Sequence, residues 1–358
     1  MDVTRPALPG DETIMRLRGY FPERHEPADF DAFWLQTLAE ARSLAAGRPP
    51  TFDSIDTPLR TIAVEDVTYP GFGGHPIRAW LLRPAGTAGP LPAVVAYIGY
   101  GGGRSLPSAH LFWPSVGYAH LVMDSRGQDG ETPDPDAGLG ATGHQPGWVT
   151  QGIDDPATYY YRRLITDGVL ALDAVATHPL VDPHRIAVTG KSQGGAIALA
   201  VAGLAPLVRA ALIDVPFLCD IRHALELIGD DIATGYGELR SHLAWRRDRE
   251  ARAFQTLSYF EGCTFAAHAT APARFSTGLR DTLCPPATVF AAYDHYAGPR
   301  RIKAWPNNGH EGGGEYDELE AAAFLAELGL APMSAQSAQS VRGSGGTGGV
   351  QASPDMRR

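Results

Sequence analysis

The sequence predicts an α/β fold, a mostly parallel sheet flanked by helices on both faces. Two observations carry this expectation. Short apolar runs alternate with longer segments at helical spacing from residue 91 to residue 328, the order that builds parallel strands joined by crossover helices. One of these runs leads into Gly190-Lys191-Ser192-Gln193-Gly194, a glycine-flanked serine between a strand-like and a helix-like segment.

The chain has 358 residues, of which 44% are hydrophobic, enough for a sizeable core. An N-terminal helical extension is expected over residues 1–60, with apolar spacing from Asp29 to Ala46 and Asp29 as its cap. The α/β domain is expected over 61–332. It opens with a hairpin, Ile62 to Tyr69 and Ile77 to Leu82, around Pro70-Gly71-Phe72-Gly73-Gly74. Strands follow at 93–98, 120–123, 185–189, 210–213, 273–277 and 301–305, with helices at 160–177, 196–204, 286–296 and 316–328. Residues 129–158, rich in Gly, Pro and Asp, read as a long loop, and 220–262 as a helical, cap-like insertion. The Ser, Gly, Gln and Ala of 333–358 cannot bury a core, so a disordered tail is expected there.

Composition narrows the function. A formal charge of −10 disfavours nucleic acid as a partner, because phosphate binding needs a concentrated basic patch. Three cysteines without a Cys-x-x-Cys form no disulfide framework, and the histidines show no metal-ligand spacing. No metal or organic cofactor is expected. The first twelve residues lack an apolar h-region and no run of 18 apolar residues occurs, so a cytoplasmic protein without membrane contact is the expectation.

The glycine-flanked serine matches Gly-x-Ser-x-Gly, the nucleophile elbow of the α/β-hydrolase fold. The turn is sharp, so Gly190 and Gly194 leave room where side chains would collide. A serine nucleophile needs a base, and the base needs an orienting acid, in the chain order Ser, acid, His. His310 follows the last predicted strand in Pro306-Asn307-Asn308-Gly309-His310, at the end where such sheets hold their reacting groups. Asp281, after the strand 273–277, is preferred as the acid over Asp214. The N–H groups of Gln193 and of Tyr100, in the segment Gly99 to Gly103, are the candidate oxyanion donors.

Further stretches accompany these: Arg126-Gly127-Gln128, His310-Glu311, Thr158-Tyr-Tyr-Tyr-Arg-Arg163, Asp214-Val-Pro-Phe-Leu-Cys219 and Cys284-Pro-Pro-Ala-Thr-Val-Phe. With the elbow, they make residues 5–330 resemble the cephalosporin-C deacetylase and acetyl xylan esterase group, carbohydrate esterase family 7. The resemblance implies a triad of Ser192, Asp281 and His310, an oxyanion hole from Tyr100 and Gln193, and structural roles for Arg126, Gln128 and Glu311. It further implies removal of acetyl groups from small acetylated sugars and from cephalosporin C, and a homo-hexamer. Lys191 and Ser105 depart from the pattern, which more often carries a small residue at the first position and glycine at the second. The residues themselves leave open another α/β-hydrolase activity, a peptidase or a broad short-chain carboxylesterase, and a non-catalytic scaffold with an idle triad.

Overall fold

β-Branched and small apolar residues dominate the short runs, and glycine or proline closes most of them, so each becomes a strand of limited length. The computed structural model describes residues 11–135, 147–229 and 234–332. Among these, the strands are β1 (Thr51–Ile55), β2 (Ile62–Pro70), β3 (Pro76–Pro84), β4 (Leu91–Tyr97), β5 (Ala119–Met123), β6 (Val181–Lys191), β7 (Ala210–Asp214), β8 (Ala273–Gly278) and β9 (Arg300–Trp305). They form one mixed sheet in the order β1-β2-β3-β5-β4-β6-β7-β8-β9. Pairing is antiparallel from β1 to β5 through β3 and parallel from β5 onward. Strand β4 lies between β5 and β6, so the winding reverses there. Ligands of open α/β sheets bind beyond the carboxyl ends of the strands at such a reversal.

The helices are α1 (Asp11–Leu17), α2 (Phe30–Ala45), α3 (Phe112–Ser115), α4 (Tyr160–Val175), α5 (Gln193–Leu204), α6 (Ile221–Leu227), α7 (Gly235–Trp245), α8 (Glu250–Leu257), α9 (Gly262–His268), α10 (Pro286–His295) and α11 (Glu315–Glu327). Side chains alternate across the sheet. Val95, Val188 and Ile213 join the core that includes α4 and α5. Their neighbours Val94, Ala187 and Leu212 pack with Trp113 of α3 and with Phe324 and Leu325 of α11. Covering both faces is why these strands read as continuous apolar runs.

The extension differs from its sequence reading in two ways. It is not wholly helical: Thr51–Ile55 pairs with β2 as the edge strand of the sheet. In TFDSI the polar Thr51, Asp53 and Ser54 are exposed, while Phe52 and Ile55 are half-buried against core clusters on opposite faces of the sheet. Asp29 does not cap α2 with its side chain. Its carboxylate instead accepts a 2.6 Å hydrogen bond from Tyr259. Trp34 of α2 donates to the Tyr259 carbonyl at 3.1 Å and packs edge-on against Phe260 and Phe265. The extension thereby holds the segment that ends the insertion. The insertion itself is helical, through α6, α7 and α8. The expected disordered tail falls outside the described residues.

Candidate active site

The elbow is built by steric necessity. Ser192 joins β6 to α5 with φ of 60° and ψ of −120°, a sparsely populated conformation that costs about 1–3 kcal/mol. The surrounding backbone imposes it. The Ser192 N–H donates to the Asp214 carbonyl at 3.0 Å, and the Ser192 carbonyl accepts from Ala196 and Phe217 at 3.0 Å each. A Cβ on Gly190 would lie 2.2 Å from the Gly194 carbonyl, and one on Gly194 would lie 2.0 Å from the Tyr97 oxygen. Gln193 is the first residue of α5, so its N–H has no carbonyl partner within the helix and sits at the positive end of the helix dipole.

His310 lies in the loop after β9, and Asp281 in the turn after β8. His310 Nδ1 and Asp281 Oδ2 are 2.9 Å apart. The other carboxylate oxygen, Oδ1, accepts from the N–H groups of Leu283 at 2.8 Å and Cys284 at 2.9 Å. The Asp281 side chain is fully buried, while that of His310 is 26% exposed. A carboxylate facing Nδ1 places the ring proton there and leaves Nε2 free to accept. Ser192 and His310 line one cavity of about 370 Å³ with Tyr100, Phe217, Tyr236 and Cys284. Burial, with the Asp281 carboxylate nearby, pushes the Cys284 thiol well above its ordinary range. The thiol stays protonated and is no rival nucleophile.

Gln128 ties the two sides of the site together. Its Oε1 accepts from the Gly101 N–H at 2.7 Å. Its amide also exchanges hydrogen bonds with the Gln193 amide, at 2.9 and 3.1 Å. Tyr160 is 2.8 Å from Gln128 Nε2, and Tyr161 donates to Gln193 Oε1 at 3.0 Å. The loop after β4 is thus held in register with the elbow by buried amides. The Tyr100 ring adds a further tether, donating from its hydroxyl to Glu238 of α7 and accepting from Val149 N–H at 3.3 Å.

Arg126 is fully buried and makes a bidentate pair with Asp167 of α4, while also reaching Asp134. Burial works against its charge, but the Asp167 carboxylate and its hydrogen bonds outweigh this and raise the guanidinium pKa. Glu311 is exposed and folds back on its own loop, accepting from Gly309 N–H at 3.0 Å and Asn308 Nδ2 at 3.1 Å. Backbone N–H groups, its own and that of Gly309, hold its carboxyl below the ordinary range. Ser105 has φ of 51°, left-handed backbone that explains why glycine would suit that position.

Glu238, Asp134, Asp167, Tyr160 and Tyr161 were not singled out from the sequence as site residues. The run Tyr159-Tyr160-Tyr161 was the available signal: burial leaves each hydroxyl in need of a partner. They find Val149, Arg126 and Gln193 respectively.

Comparison with known proteins decides the family. A profile for acetyl xylan esterases matches residues 9–328. The chain belongs to the acetyl xylan esterase family, a family of carboxylic ester hydrolases. The resemblance read from the motifs therefore holds. An acetyl xylan esterase structure from Paenibacillus sp. R4 is 38% identical, with a TM-score of 0.78 over 89% of this chain and 99% of that one. Acetyl xylan esterase 1 from Thermoanaerobacterium sp. JW/SL YS485 is 31% identical, with a TM-score of 0.79 over 88% and 98%. The sheet and these likenesses establish the α/β-hydrolase fold. The acetyl esterase Axe7A of Xylanibacter ruminicola is 29% identical over 299 residues, 81% of this chain. The chain spans 64% of that curated relative's length.

Gln128→Leu keeps the side-chain bulk but strands Gly101 N–H, at a cost of about 1–3 kcal/mol when unpaired, and leaves the Gln193 amide only its bonds to Tyr161 and the Ile98 carbonyl. The expected result is a lower melting temperature and a kcat for p-nitrophenyl acetate reduced about ten-fold or more, by loss of oxyanion-loop register. Steady-state kinetics beside a thermal melt check it. Unchanged kcat would mean the loop holds its shape without the bridge.

Asp214 occupies a different place from Asp281. Burial, reinforced by Asp317, raises its carboxyl from 3.8 to about 7, with Lys191 opposing in part. A raised folded pKa stabilises fully below the unfolded value, and that stability is lost as pH rises from about 4 through about 7. Asp214→Asn, neutral at every pH, is expected to gain more stability at pH 8 than at pH 4. The difference is about 4 kcal/mol, since a rise from 3.8 to about 7 spans about three pKa units worth about 1.4 kcal/mol each. Denaturant melts at both pH values measure it, and equal shifts would count against a buried, acid-favouring carboxyl.

Proposed function

We propose that this protein is a serine acetylesterase. On this reading it removes acetyl groups from acetylated xylo-oligosaccharides and from cephalosporin C, through an acyl-enzyme on Ser192. The observation that carries the reading is the convergence of the strained elbow and His310 on one cavity, with Asp281 hydrogen-bonded behind the imidazole. Family membership supports the acetyl ester as the reacting group.

Ser192 Oγ attacks the acetyl carbonyl while His310 Nε2 takes its proton. Asp281 holds the Nδ1–H tautomer and stabilises the imidazolium. The backbone N–H groups of Gln193 and Tyr100 receive the oxyanion, kept at fixed spacing by the Gln128–Gln193 amide pair. The alcohol leaves with the proton from His310. Water, deprotonated by the same nitrogen, then releases acetate and restores Ser192.

Hydrolysis of p-nitrophenyl acetate, butyrate and octanoate tests the acyl preference. The expected order is acetate, then butyrate, with octanoate turned over slowest, because the bulky Phe217, Tyr236 and Leu283 line the cavity that holds Ser192. A preference for octanoate would refute the acetylesterase assignment. Release of acetate from acetylated xylo-oligosaccharides and from cephalosporin C then tests each alcohol separately.

A further inference from the structure

We infer that a second cavity beside the Ser192 chamber holds the sugar portion of the ester, the part that leaves as the alcohol. The inference rests on the acetylesterase reading above. This cavity has a volume of about 680 Å³ and lies where α3 and the start of α11 face the ends of β6 and β7. Gly99 and Lys191 line both spaces, so the two lie side by side where the loop after β4 approaches the elbow. An ester attacked by Ser192 extends in two directions from its carbonyl carbon, acyl group one way and alkoxy oxygen the other. One chamber for each follows from that geometry.

The chemistry of the two spaces differs accordingly. The first is walled by Phe217, Tyr236, Leu283 and Cys284, surfaces that suit an acyl methyl group. The second presents Lys191 and Asn308 as donors, Asp214 and Glu311 as acceptors, and the rings of Phe112 and Tyr316. A carbohydrate is the complement of that set. Its hydroxyls donate and accept together, and its ring C–H faces lie against aromatic surfaces.

Three features give the cavity unused binding capacity. Asp214 Oδ1 is buried without a hydrogen-bond partner, a costly state that a donor hydroxyl would relieve. The Lys191 ammonium is felt by Asp214 and Glu311 through its charge, and among the described residues no direct hydrogen bond or salt bridge occupies it. The Tyr316 ring is 72% exposed at the rim, where it contributes little to the core. The volume also falls within the range of about 300–1,000 Å³ typical of small-molecule sites.

The test uses Tyr316→Ala and Lys191→Met in the full chain, each assayed with p-nitrophenyl acetate and with acetylated xylo-oligosaccharides. p-Nitrophenol has no sugar hydroxyls to engage the cavity. In either variant, kcat/KM for the sugar ester is expected to fall at least about five-fold relative to that for p-nitrophenyl acetate, mainly through KM. Falls that are equal on both substrates, or larger on p-nitrophenyl acetate, would overturn the subsite, as would no fall on either. Wild-type protein that hydrolyses p-nitrophenyl acetate but no acetylated sugar would instead overturn the acetyl-sugar reading, and the subsite with it. A far-ultraviolet circular dichroism melt of each variant separates loss of fold from loss of recognition.

Discussion

Ser192→Ala is expected to lower kcat/KM for p-nitrophenyl acetate by about 10⁴-fold or more, the scale on which a nucleophile acting with its base fails when removed. The fold should survive. Alanine carries the same Cβ through the φ of 60° at this position, and the backbone bonds to Asp214, Ala196 and Phe217 remain. An organophosphonate probe gives an independent readout. Wild-type protein should gain the mass of one adduct on the peptide containing Ser192, and the variant should gain none. Activity equal to wild type in the variant would exclude Ser192 as nucleophile and dismiss the mechanism. Wild-type protein that neither labels at Ser192 nor turns over ester would point to the idle-scaffold alternative.

Asp281→Asn is expected to be nearly as damaging, by about 10⁴-fold in kcat, and the reason can be read from the hydrogen bonds. Asp281 Oδ1 accepts from Leu283 and Cys284 N–H groups, so asparagine must keep its oxygen on that side. Its NH₂ then faces His310 Nδ1, now 2.9 Å from Oδ2. Nδ1 is forced to accept, the ring proton moves to Nε2, and the imidazole can no longer take a proton from Ser192. Asp214→Asn, by contrast, should leave kcat within a few-fold of wild type, since no hydrogen bond joins Asp214 to His310 among the described residues. Measuring both variants at pH 8 decides between the two aspartates. A severe loss in Asp214→Asn with little change in Asp281→Asn would reverse the assignment.

Part of this site is legible in the chain because its cause is local. The elbow needs small residues within two positions of Ser192, and Gly190 and Gly194 stand there for the contacts their Cβ atoms would make. The strand before it and the helix after it declare themselves by periodicity. The extra strand β1 escaped for the opposite reason. Five residues, three of them polar and without strict alternation, look like a loop until β2 supplies the partner. Asp29 shows how a local rule can be overridden: it stands at a cap position, yet a tyrosine 230 residues away takes its carboxylate.

By itself, the sequence determined the alternation of strands and helices, the steric form of the elbow and the order serine, aspartate, histidine. Each depends on residues a few positions apart, where backbone sterics and side-chain period act directly. Tertiary structure alone decided that Asp281 meets His310 across 29 positions and that Gln128 meets Gln193 across 65. It also decided that Lys191 faces two cavities at once. Those contacts exist because strands distant in the chain become neighbours in the sheet, and hydrogen bonds require distances near 3 Å that only their stacking sets.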